Sequence, residues 1–450
     1  MNIIIIMSDT LRFDHLGCYG NNWIRTPNLD TFARKCMVFD NAYQASFPTI
    51  PTRTDMFTGK YTFPFRGWTP LPEKETILSE ELGKMGYVSM LICDTPHLVR
   101  DGHRFDRGFT AWDWIRGQEG DRSITDNVKV DLPCAPEKIR GPERMRDNHY
   151  KHRTVNWKTE RDTFVARTMQ RACDWLERNY THEKFFLYID TFDPHEPWDP
   201  PQHYVDMYDP GYTGEVIDHP VYNYCDYLTD DEIRHTRALY AGEVTLVDTW
   251  VGRLLNKIEA LGLYNNTAIM FMADHGHYIG DHGRIGKSGS GTDGPWPFYQ
   301  EVAHIPFFLY TPDGMSGRCD FLMQPVDVMT TALELGEASI PEGIKSQSLL
   351  PAMKGKSIGE RPVAVTSAAL NDNPDRGVCS SITDGEWTLH YRGAKHPAEL
   401  YNIKEDPKEQ KNLYAGNKAI AKKLHEAHLD LLKEVKTSQK RLEIRSQLPD

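Results

Sequence analysis

The sequence has few cysteines, no long apolar run and no extended basic block. Its eight cysteines are scattered along 450 residues without a CxxC pair, a pattern typical of reduced, buried thiols in a chain of this length. No apolar run approaches the roughly 20 residues that span a bilayer. The apolar start at residues 2–7 is too short for a signal peptide and lacks its basic flank and cleavage site. We therefore expect a cytoplasmic protein with no membrane partner.

Charged residues are spread along the chain, and the formal net charge is -12. Nucleic-acid binding usually requires a basic patch or stripe, so we expect no nucleic-acid partner. An anionic substrate would need local positive charge or a metal ion. The composition leaves a homo-oligomer open.

Strand and helix patterns alternate through about residue 360. This alternation predicts an α/β fold with a large, mostly parallel sheet flanked by helices. Residues 361–450 instead predict a smaller C-terminal α+β subdomain that ends in a helix, in keeping with the limit of roughly 250 to 300 residues on a single core. Within the larger domain, residues 1–360, the segment 116–158 is rich in charge, glycine and proline. We expect a surface insertion or lid there.

Polar side chains follow several predicted buried strands. Asp9 follows the first strand, and Asp274 and His275 follow the apolar run at residues 267–272. Ligands of open α/β sheets bind at the carboxyl ends of strands. Carboxylates with an imidazole suit a divalent ion such as Zn²⁺, Mn²⁺ or Ca²⁺, and the oxygen-rich set favours the harder ions. We expect one divalent metal ion here, although Asp9 could instead cap the next segment.

The stretch FPTIPTRTDMFTGKY, residues 47–61, places a hydroxyl and a guanidinium close together. Two prolines bracket Thr49 and hold the backbone extended before a helix predicted at residues 55–58. Near a helix N-terminus, free N–H groups favour an anion. Thr49 is therefore the first candidate nucleophile, with Arg53 as a nearby cation. The alternative is a proline-capped loop with Thr52 or Thr54 as N-cap.

Further candidates lie at other strand ends. Thr95 and His97 follow a strand at residues 87–93, where either a substrate contact or a solvated turn fits. His195 follows the strand at residues 185–189, and Lys287 lies in the glycine-rich loop after His275. Both are cationic or proton-carrying candidates.

These motifs together resemble the sulfatase branch of the alkaline phosphatase superfamily, nearly from end to end of the chain. The resemblance is carried by SDTLR (8–12), DHLGCYG (14–20), TPNLD (26–30), PTR (51–53), TGKY (58–61), DPHEP (193–197), DHG (274–276), GDHG (280–283), GKS (286–288), ELYN (399–402) and DP (406–407). It implies that Asp9, Asp274 and His275 hold the metal. It also implies that Arg53 and Lys287 stabilise the substrate anion, and that His195 is a proton donor or anion contact.

Two positions depart from the family pattern. Sulfatases carry Cys or Ser, then any residue, Pro, any residue and Arg, and convert the first residue to formylglycine. Here that residue is Thr49, whose β-carbon carries a methyl group that blocks this maturation. Most sulfatases place a second metal-binding Asp where this chain has Thr10. Thr10 could give a neutral oxygen ligand, but the site then loses one negative charge.

The threonine predicts the class of substrate. An alkoxide nucleophile forms an ester with the transferred group, and water must then break that bond. This route works for a phosphoryl group, and related phosphodiesterases and phosphoethanolamine transferases resemble this pattern in using threonine. Release of sulfate by collapse of a formylglycine hemiacetal is closed to Thr49. We therefore predict a metal-dependent hydrolase of a small phosphate or phosphonate ester, preferably a diester, with a covalent Thr49 intermediate.

Several alternatives stay open. The first is a sulfatase that acts on a sulfated sugar or aryl ester without formylglycine, and the second is a non-catalytic anion-binding protein. Transfer of the group to an acceptor alcohol is a third. A second metal ion is also open, although Lys287 would bring a competing positive charge. Its candidate donors are Asp193, His195, His277 and His282.

Overall fold

The computed structural model describes residues 1–292, 294–356 and 361–449. The strands are, in chain order, β1 (Asn2–Ser8), β2 (Met37–Ala42), β3 (Val88–Cys93), β4 (Ala111–Trp114), β5 (Phe185–Thr191), β6 (Asn223–Tyr224), β7 (Thr267–Ala273), β8 (Tyr278–Ile279), β9 (Arg284–Gly286), β10 (Ser290–Gly291), β11 (Gly294–Pro295), β12 (Phe307–Tyr310), β13 (Gly317–Met323), β14 (Ala364–Ser367), β15 (Ser380–Thr383), β16 (Trp387–Tyr391) and β17 (Glu399–Asn402). The α-helices are α1 (Pro27–Ala33), α2 (Thr49–Thr58), α3 (Leu78–Lys84), α4 (Pro142–Met145), α5 (Lys151–Asn156), α6 (Phe164–Asn179), α7 (Gln202–Val205), α8 (Asp230–Ala260), α9 (Gln300–Ala303), α10 (Val326–Leu335), α11 (Leu350–Met353), α12 (Lys418–Glu434) and α13 (Gln439–Ile444). None of the helices in these ranges is long and apolar enough to cross a membrane.

An eight-stranded sheet with the order β13-β2-β12-β7-β1-β5-β3-β4 forms the centre of the larger unit. β12 runs antiparallel to both of its neighbours, and the other pairs are parallel. Every residue of β1 is buried, as expected for a strand of a parallel sheet that is covered on both faces. These features confirm the predicted α/β fold with a mostly parallel sheet.

Parallel pairing brings several strand ends to one edge of this sheet. Ser8, the last residue of β1, pairs with Ala273 of β7 and with Thr191 of β5. The residues that follow β1 and β7 therefore emerge side by side, next to the end of β5. This register is what brings Asp9 close to Asp274, although the two residues are far apart in the chain.

The C-terminal residues form the antiparallel sheet β14-β15-β16-β17, as predicted. Helix α12 packs on this sheet, and its Leu424 and Leu432 share one apolar cluster with Ile382 and Leu389. Phe63, from the segment after α2, lies in the same cluster. The predicted boundary between residues 360 and 361 adjoins residues 357–360, which lie outside the described ranges.

Two strands and one helix start differ from the sequence analysis. β4 and β13 are partly exposed edge strands without the long apolar run by which the buried strands were predicted. Helix α2 begins at Thr49, not at residue 55. Pro51 lies in its first turn, where the missing N–H of proline has no intrahelical partner to lose.

Candidate active site

Asp9, Asp274 and His275 meet at the carboxyl edge of the large sheet. One ligand atom from each lies within 4.8 Å of the others, and all three residues are buried. Neither oxygen of Asp9 accepts a hydrogen bond of good geometry from the described part of the chain, although Oδ2 lies 3.1 Å from Arg53 Nη2, and the Thr10 hydroxyl has no hydrogen-bond partner there. Buried oxygens without a hydrogen-bond partner are unusual, and they suit a cation that prefers oxygen ligands. The donor set therefore fits a divalent metal ion.

The two carboxylates of this cluster have opposite pKa shifts. Burial and the charge of Asp274 raise the pKa of Asp9 well above its usual range. Burial would also raise the pKa of Asp274, but the neighbouring His275 ring, the charge of Arg53 and a hydrogen bond from Thr10 N lower it overall. That N–H donates to Asp274 Oδ1 at 3.0 Å. Asp274 is thus ionised, and a bound cation would favour ionisation of Asp9 as well.

The His275 ring offers an unprotonated nitrogen to the cluster. Its Nδ1 lies 3.0 Å from the carbonyl oxygen of Gly276, which requires Nδ1 to be the donor. Burial, together with the positive charge of Lys287, lowers the pKa of His275 to about 3. The ring is therefore neutral, and Nε2 keeps a lone pair for a metal ion.

Thr49 is the first residue of α2 and is 1% exposed. Its Oγ1 lies 3.4 Å from His275 Nε2, so the hydroxyl adjoins the carboxylate and imidazole cluster. The free N–H groups of the first helical turn favour negative charge at this point. The hydroxyls of Thr52 and Thr54 lie within the helix and donate to the carbonyl oxygens of Ser46 and Ile50. Neither Thr52 nor Thr54 is therefore the helix N-cap that the sequence analysis gave as the alternative.

Arg53 follows Thr49 by one helical turn and is fully buried. Its Nε and Nη2 donate to Asp190 at 2.7 and 2.8 Å, and its Nη1 donates to Asp274 Oδ2 at 2.6 Å. Nη1 also donates to the Thr49 carbonyl oxygen at 3.2 Å, and Nη2 lies 3.1 Å from Asp9 Oδ2. The guanidinium group is thus directed at protein acceptors. These contacts position the cluster carboxylates, and the stabilisation of a substrate anion that the resemblance implied for Arg53 stays a prediction.

Asp190, on β5, is a site residue that the sequence analysis missed. It accepts the bidentate pair from Arg53, and Thr95 Oγ1 donates to its Oδ1 at 2.6 Å. Thr95 is fully buried, so its hydroxyl orients Asp190, and its predicted substrate contact stays a prediction. The signal was available, since Asp190 is an acidic residue close to the end of an apolar strand, as the other cluster residues are.

His195 and Lys287 form a second pair at the site. Lys287 Nζ lies 2.6 Å from His195 Nε2, and His195 Nδ1 lies 2.6 Å from the Glu196 carbonyl oxygen. Burial and the charge of Lys287 lower the pKa of His195, against the opposing charge of Glu196. The neutral ring therefore holds its proton on Nδ1 and accepts from Lys287 on Nε2. The role that the resemblance implied for His195, a proton donor or an anion contact, stays a prediction.

The other donors considered for a second metal ion do not converge. Both oxygens of Asp193 accept hydrogen bonds, from a side-chain amide at 2.6 Å and a backbone N–H at 2.9 Å. His277 and His282 each face a glutamate at 3.5 Å, Glu196 and Glu301 respectively. Across residues 1–292, 294–356 and 361–449, the cluster at Asp9 is the one group of three such donors close enough together to hold a cation.

The predicted insertion contributes charged residues beside His195. Glu119 Oε1 lies 2.8 Å from Arg144 Nη2 and 3.6 Å from Arg140 Nη2. Arg140 also donates to Glu196 at 2.7 Å. Burial would raise the pKa of Glu119, but His97 and the two arginines lower it well below its usual range. An ionised carboxylate therefore links the insertion to the site, which the segment's weak periodicity did not predict.

His97 lies at the margin of this charged layer. Its Nε2 is 3.5 Å from Glu119 Oε2, and its side chain is 14% exposed. The ring packs edge-on against Trp68 at 5.0 Å and against Phe192 at 5.7 Å between ring centroids. Because Trp68 is 42% exposed, His97 stands where a substrate could reach it, and its predicted role stays a prediction.

Arg12 forms ion pairs with both loops that carry the cluster. Its Nη2 donates to Asp14 Oδ2 at 2.7 Å, and its Nη1 donates to Asp281 Oδ2 at 2.6 Å. Asp14 lies on the loop after Asp9, and Asp281 lies on the loop after Asp274. The ion pairs are a physical reason for the presence of Arg12, Asp14 and Asp281 in the motifs of these two loops.

The fold defines a structural class that includes solved phosphonate monoester hydrolases and sulfatases. A phosphonate monoester hydrolase of Agrobacterium radiobacter has a similar solved structure, with a TM-score of 0.75 at 20% sequence identity over 96% of this chain and 95% of that one. The similarity confirms the fold.

Within this class, the chain belongs to the sulfatase family. The family profile described as Sulfatase matches residues 1–338, and a profile described as N-sulphoglucosamine sulphohydrolase, C-terminal, matches residues 296–436. An arylsulfatase of Clostridium perfringens is 26% identical over 92% of this chain and 90% of the relative. The multifunctional alkaline phosphatase superfamily protein PehA of Trinickia caryophylli is 26% identical over 93% and 92%. The protein is a sulfatase-family hydrolase.

Proposed function

We propose that the protein hydrolyses a phosphate or phosphonate ester, preferably a diester, through a covalent intermediate on Thr49. The observation that carries the proposal is the position of the Thr49 hydroxyl at the start of α2, 3.4 Å from His275 Nε2. A threonine at this position cannot become formylglycine. Its ester with a phosphoryl or phosphonyl group remains open to attack by water.

In this proposal Asp9, Asp274 and His275 hold one divalent cation, which could be calcium, manganese or zinc. A cation bound there would lower the pKa of the Thr49 hydroxyl and draw charge from a non-bridging substrate oxygen. Thr10 supports the group by donating its N–H to Asp274, and Arg53 holds both carboxylates in place.

Bond formation and cleavage are then assigned to two side chains. Thr49 Oγ1, having given its proton to solvent, forms a bond to phosphorus as the bond from phosphorus to the leaving oxygen breaks. Lys287 donates a proton to that oxygen, and His195 orients the Lys287 side chain through the 2.6 Å contact. Water then attacks phosphorus as the bond from phosphorus to Thr49 Oγ1 breaks, one of its protons restores the Thr49 hydroxyl, and solvent returns a proton to Lys287.

Hydrolysis of a sulfate ester is the second candidate. It is favoured by the sulfatase family profile and by the Clostridium perfringens arylsulfatase among the relatives. On this chain it would require water to break a threonine sulfate ester, since the hemiacetal route is closed. The two candidates use the same cluster and differ in the atom that Thr49 attacks.

A paired assay tests the proposal. Manganese-loaded wild type and Thr49→Ala are compared on an aryl phosphate monoester, a phosphodiester, a phosphonate monoester and a sulfate ester. We expect the wild type to turn over a phosphorus ester, and Thr49→Ala to lose roughly 10³-fold or more of that rate with its metal content unchanged. Thr54→Ala is the matched control, because that hydroxyl bonds to the Ile50 carbonyl oxygen within the same helix.

Each other outcome has a definite meaning. Turnover of the sulfate ester alone, lost in Thr49→Ala, supports the second candidate. Equal rates for wild type and Thr49→Ala refute the nucleophile. Mass spectrometry of acid-quenched enzyme with a phosphonate substrate gives an independent readout, since the phosphonyl group should be found on the peptide that contains Thr49.

A further inference from the structure

An arginine-lined cavity lies next to the charged layer of the insertion. Its volume is about 700 Å³, and four arginines but only two carboxylates contribute to its lining. The lining is therefore positive, in a chain whose formal net charge is -12. Its charged residues are Arg100, Arg116, Arg122, Arg144, Asp101 and Asp121.

Two of these arginines, Arg100 and Arg122, have N–H groups without a carboxylate partner among the described residues. Arg116 is held by Asp121, with Nε and Nη2 each 2.7 Å from a carboxylate oxygen. Arg100, by contrast, contacts the mostly exposed Asp101 through Nε at 3.1 Å, and Arg122 forms no ion pair with any part of the chain that the structure describes. Guanidinium groups with free N–H pairs bind phosphate, sulfate and carboxylate through two parallel hydrogen bonds.

Charged contacts connect the cavity to the active site. Arg144, in the cavity wall, donates to Glu119 at 2.8 Å, and Glu119 lies 3.6 Å from Arg140. Arg140 donates to Glu196 at 2.7 Å, and Glu196 is bonded to His195 in the chain. One chain of charged contacts, whose carboxylates Glu119 and Glu196 are buried, therefore connects the cavity wall to His195.

Sheet geometry gives the separation. Trp114, the last residue of β4, lines the cavity, and Asp9 directly follows β1. β4 is three strands from β1 along the same carboxyl edge, which corresponds to roughly 14 Å at about 4.8 Å per strand. An ester group is far too short to reach both places.

We propose that this arginine-lined cavity binds a second anionic group of an extended, polyanionic ester substrate. The second group is a phosphate, sulfate or carboxylate about 14 Å from the ester that is cleaved. The inference rests on the proposed function for the first anion and deepens it by naming the substrate class.

Inhibition by linear bisphosphonates tests the spacing. Alkane α,ω-bisphosphonates from ethane to dodecane are compared with monophosphonates of the same chain length as inhibitors of the ester that the enzyme turns over. We expect a bisphosphonate advantage of at least about tenfold only for the longest members, which alone reach both sites. The advantage should vanish near 1 M salt, where the Debye length falls to about 3 Å.

The double variant Arg100→Ala/Arg122→Ala assigns the effect to the cavity. Both side chains lie at the surface, so we expect the variant to fold and to keep its rate on a small monoanionic ester, while the long-chain advantage is lost. Arg253→Ala, an exposed arginine of α8, is the matched control. The inference is overturned if bisphosphonates and monophosphonates inhibit the wild type equally, or not at all, at every length. It is also overturned if the bisphosphonate advantage survives in the double variant. Retained turnover that depends on Thr49 would in that case leave the proposed function standing.

Discussion

Arg53 and Asp190 form a bidentate ion pair, with Nε and Nη2 of the arginine 2.7 and 2.8 Å from the two carboxylate oxygens. Both residues are fully buried. The pair connects α2, which carries Thr49, to β5 of the central sheet. Because Arg53 also donates to Asp274, the nucleophile candidate and the cluster carboxylates are positioned by the same guanidinium group.

Removing the charge of Asp190 should disturb both folding and the cluster. Asp190→Asn leaves part of a buried guanidinium charge uncompensated, a change that typically costs about 3 to 5 kcal/mol. We expect a loss of this size in urea unfolding, together with lower manganese content after dialysis. Asp430→Asn, on the exposed face of α12, should change stability by less than about 0.5 kcal/mol. A stable Asp190→Asn protein with full metal content would contradict the positioning role.

Metal binding should stabilise the fold through Asp9. At a free metal concentration of about 100 times Kd, ligand linkage adds about 2.7 kcal/mol to the free energy of unfolding. We expect manganese to raise the thermal midpoint of the wild type but not that of Asp9→Asn, because the substitution replaces the carboxylate with a neutral amide that has one oxygen. Asp206→Asn, an exposed carboxylate, should retain the shift. The reading of the cluster as a metal site fails if Asp9→Asn shows the same shift.

Lys287 should matter most for poor leaving groups. If it donates a proton to the departing oxygen, Lys287→Ala should lose roughly 10² to 10⁴-fold in kcat/KM on an alkyl or simple phenyl ester, and much less on a 4-nitrophenyl ester. The measurement is the dependence of rate on leaving-group pKa across an aryl series. The exposed Lys395→Ala is the matched control. Equal losses across the series would instead mean that Lys287 only binds the anion.

Acid should destabilise the protein through buried neutral histidines. His428 is fully buried, and neither of its ring nitrogens has a partner within the described ranges. Burial, with smaller contributions from His425 and Arg445, lowers its pKa to about 3, against an ordinary value of about 6.5. Between these two values the unfolded state binds one more proton. The free energy of unfolding therefore falls as pH falls, by about 1.4 kcal/mol per pH unit for this residue.

The variant His428→Leu isolates this contribution. Above about pH 7 the ring is neutral in both the folded and the unfolded state, so any stability difference measured by urea unfolding at pH 8 reflects packing alone. At pH 5 the variant should gain relative to wild type, because it lacks the proton uptake on unfolding. The same difference at both pH values would contradict the assignment.

The sequence alone determined the fold class and the cluster. Uninterrupted apolar runs such as residues 3–7 can be satisfied only by buried strands, and the polar residues that follow them must then emerge at one edge of a parallel sheet. Asp9, Asp274 and His275 were predictable for this reason. Thr49 could be identified from the sequence as a departure from the family pattern.

The tertiary structure alone decided which groups meet and what charge they carry. Asp190, the partner of Arg53, lies 137 positions away along the chain. The local sequence does not indicate the strand register that brings the two residues together. The lowered pKa of His195 results from burial and from neighbouring charges, which only the folded chain supplies. For the same reason the sequence showed the insertion only as an irregular, charged segment, whereas folding turned its arginines towards one cavity beside the site.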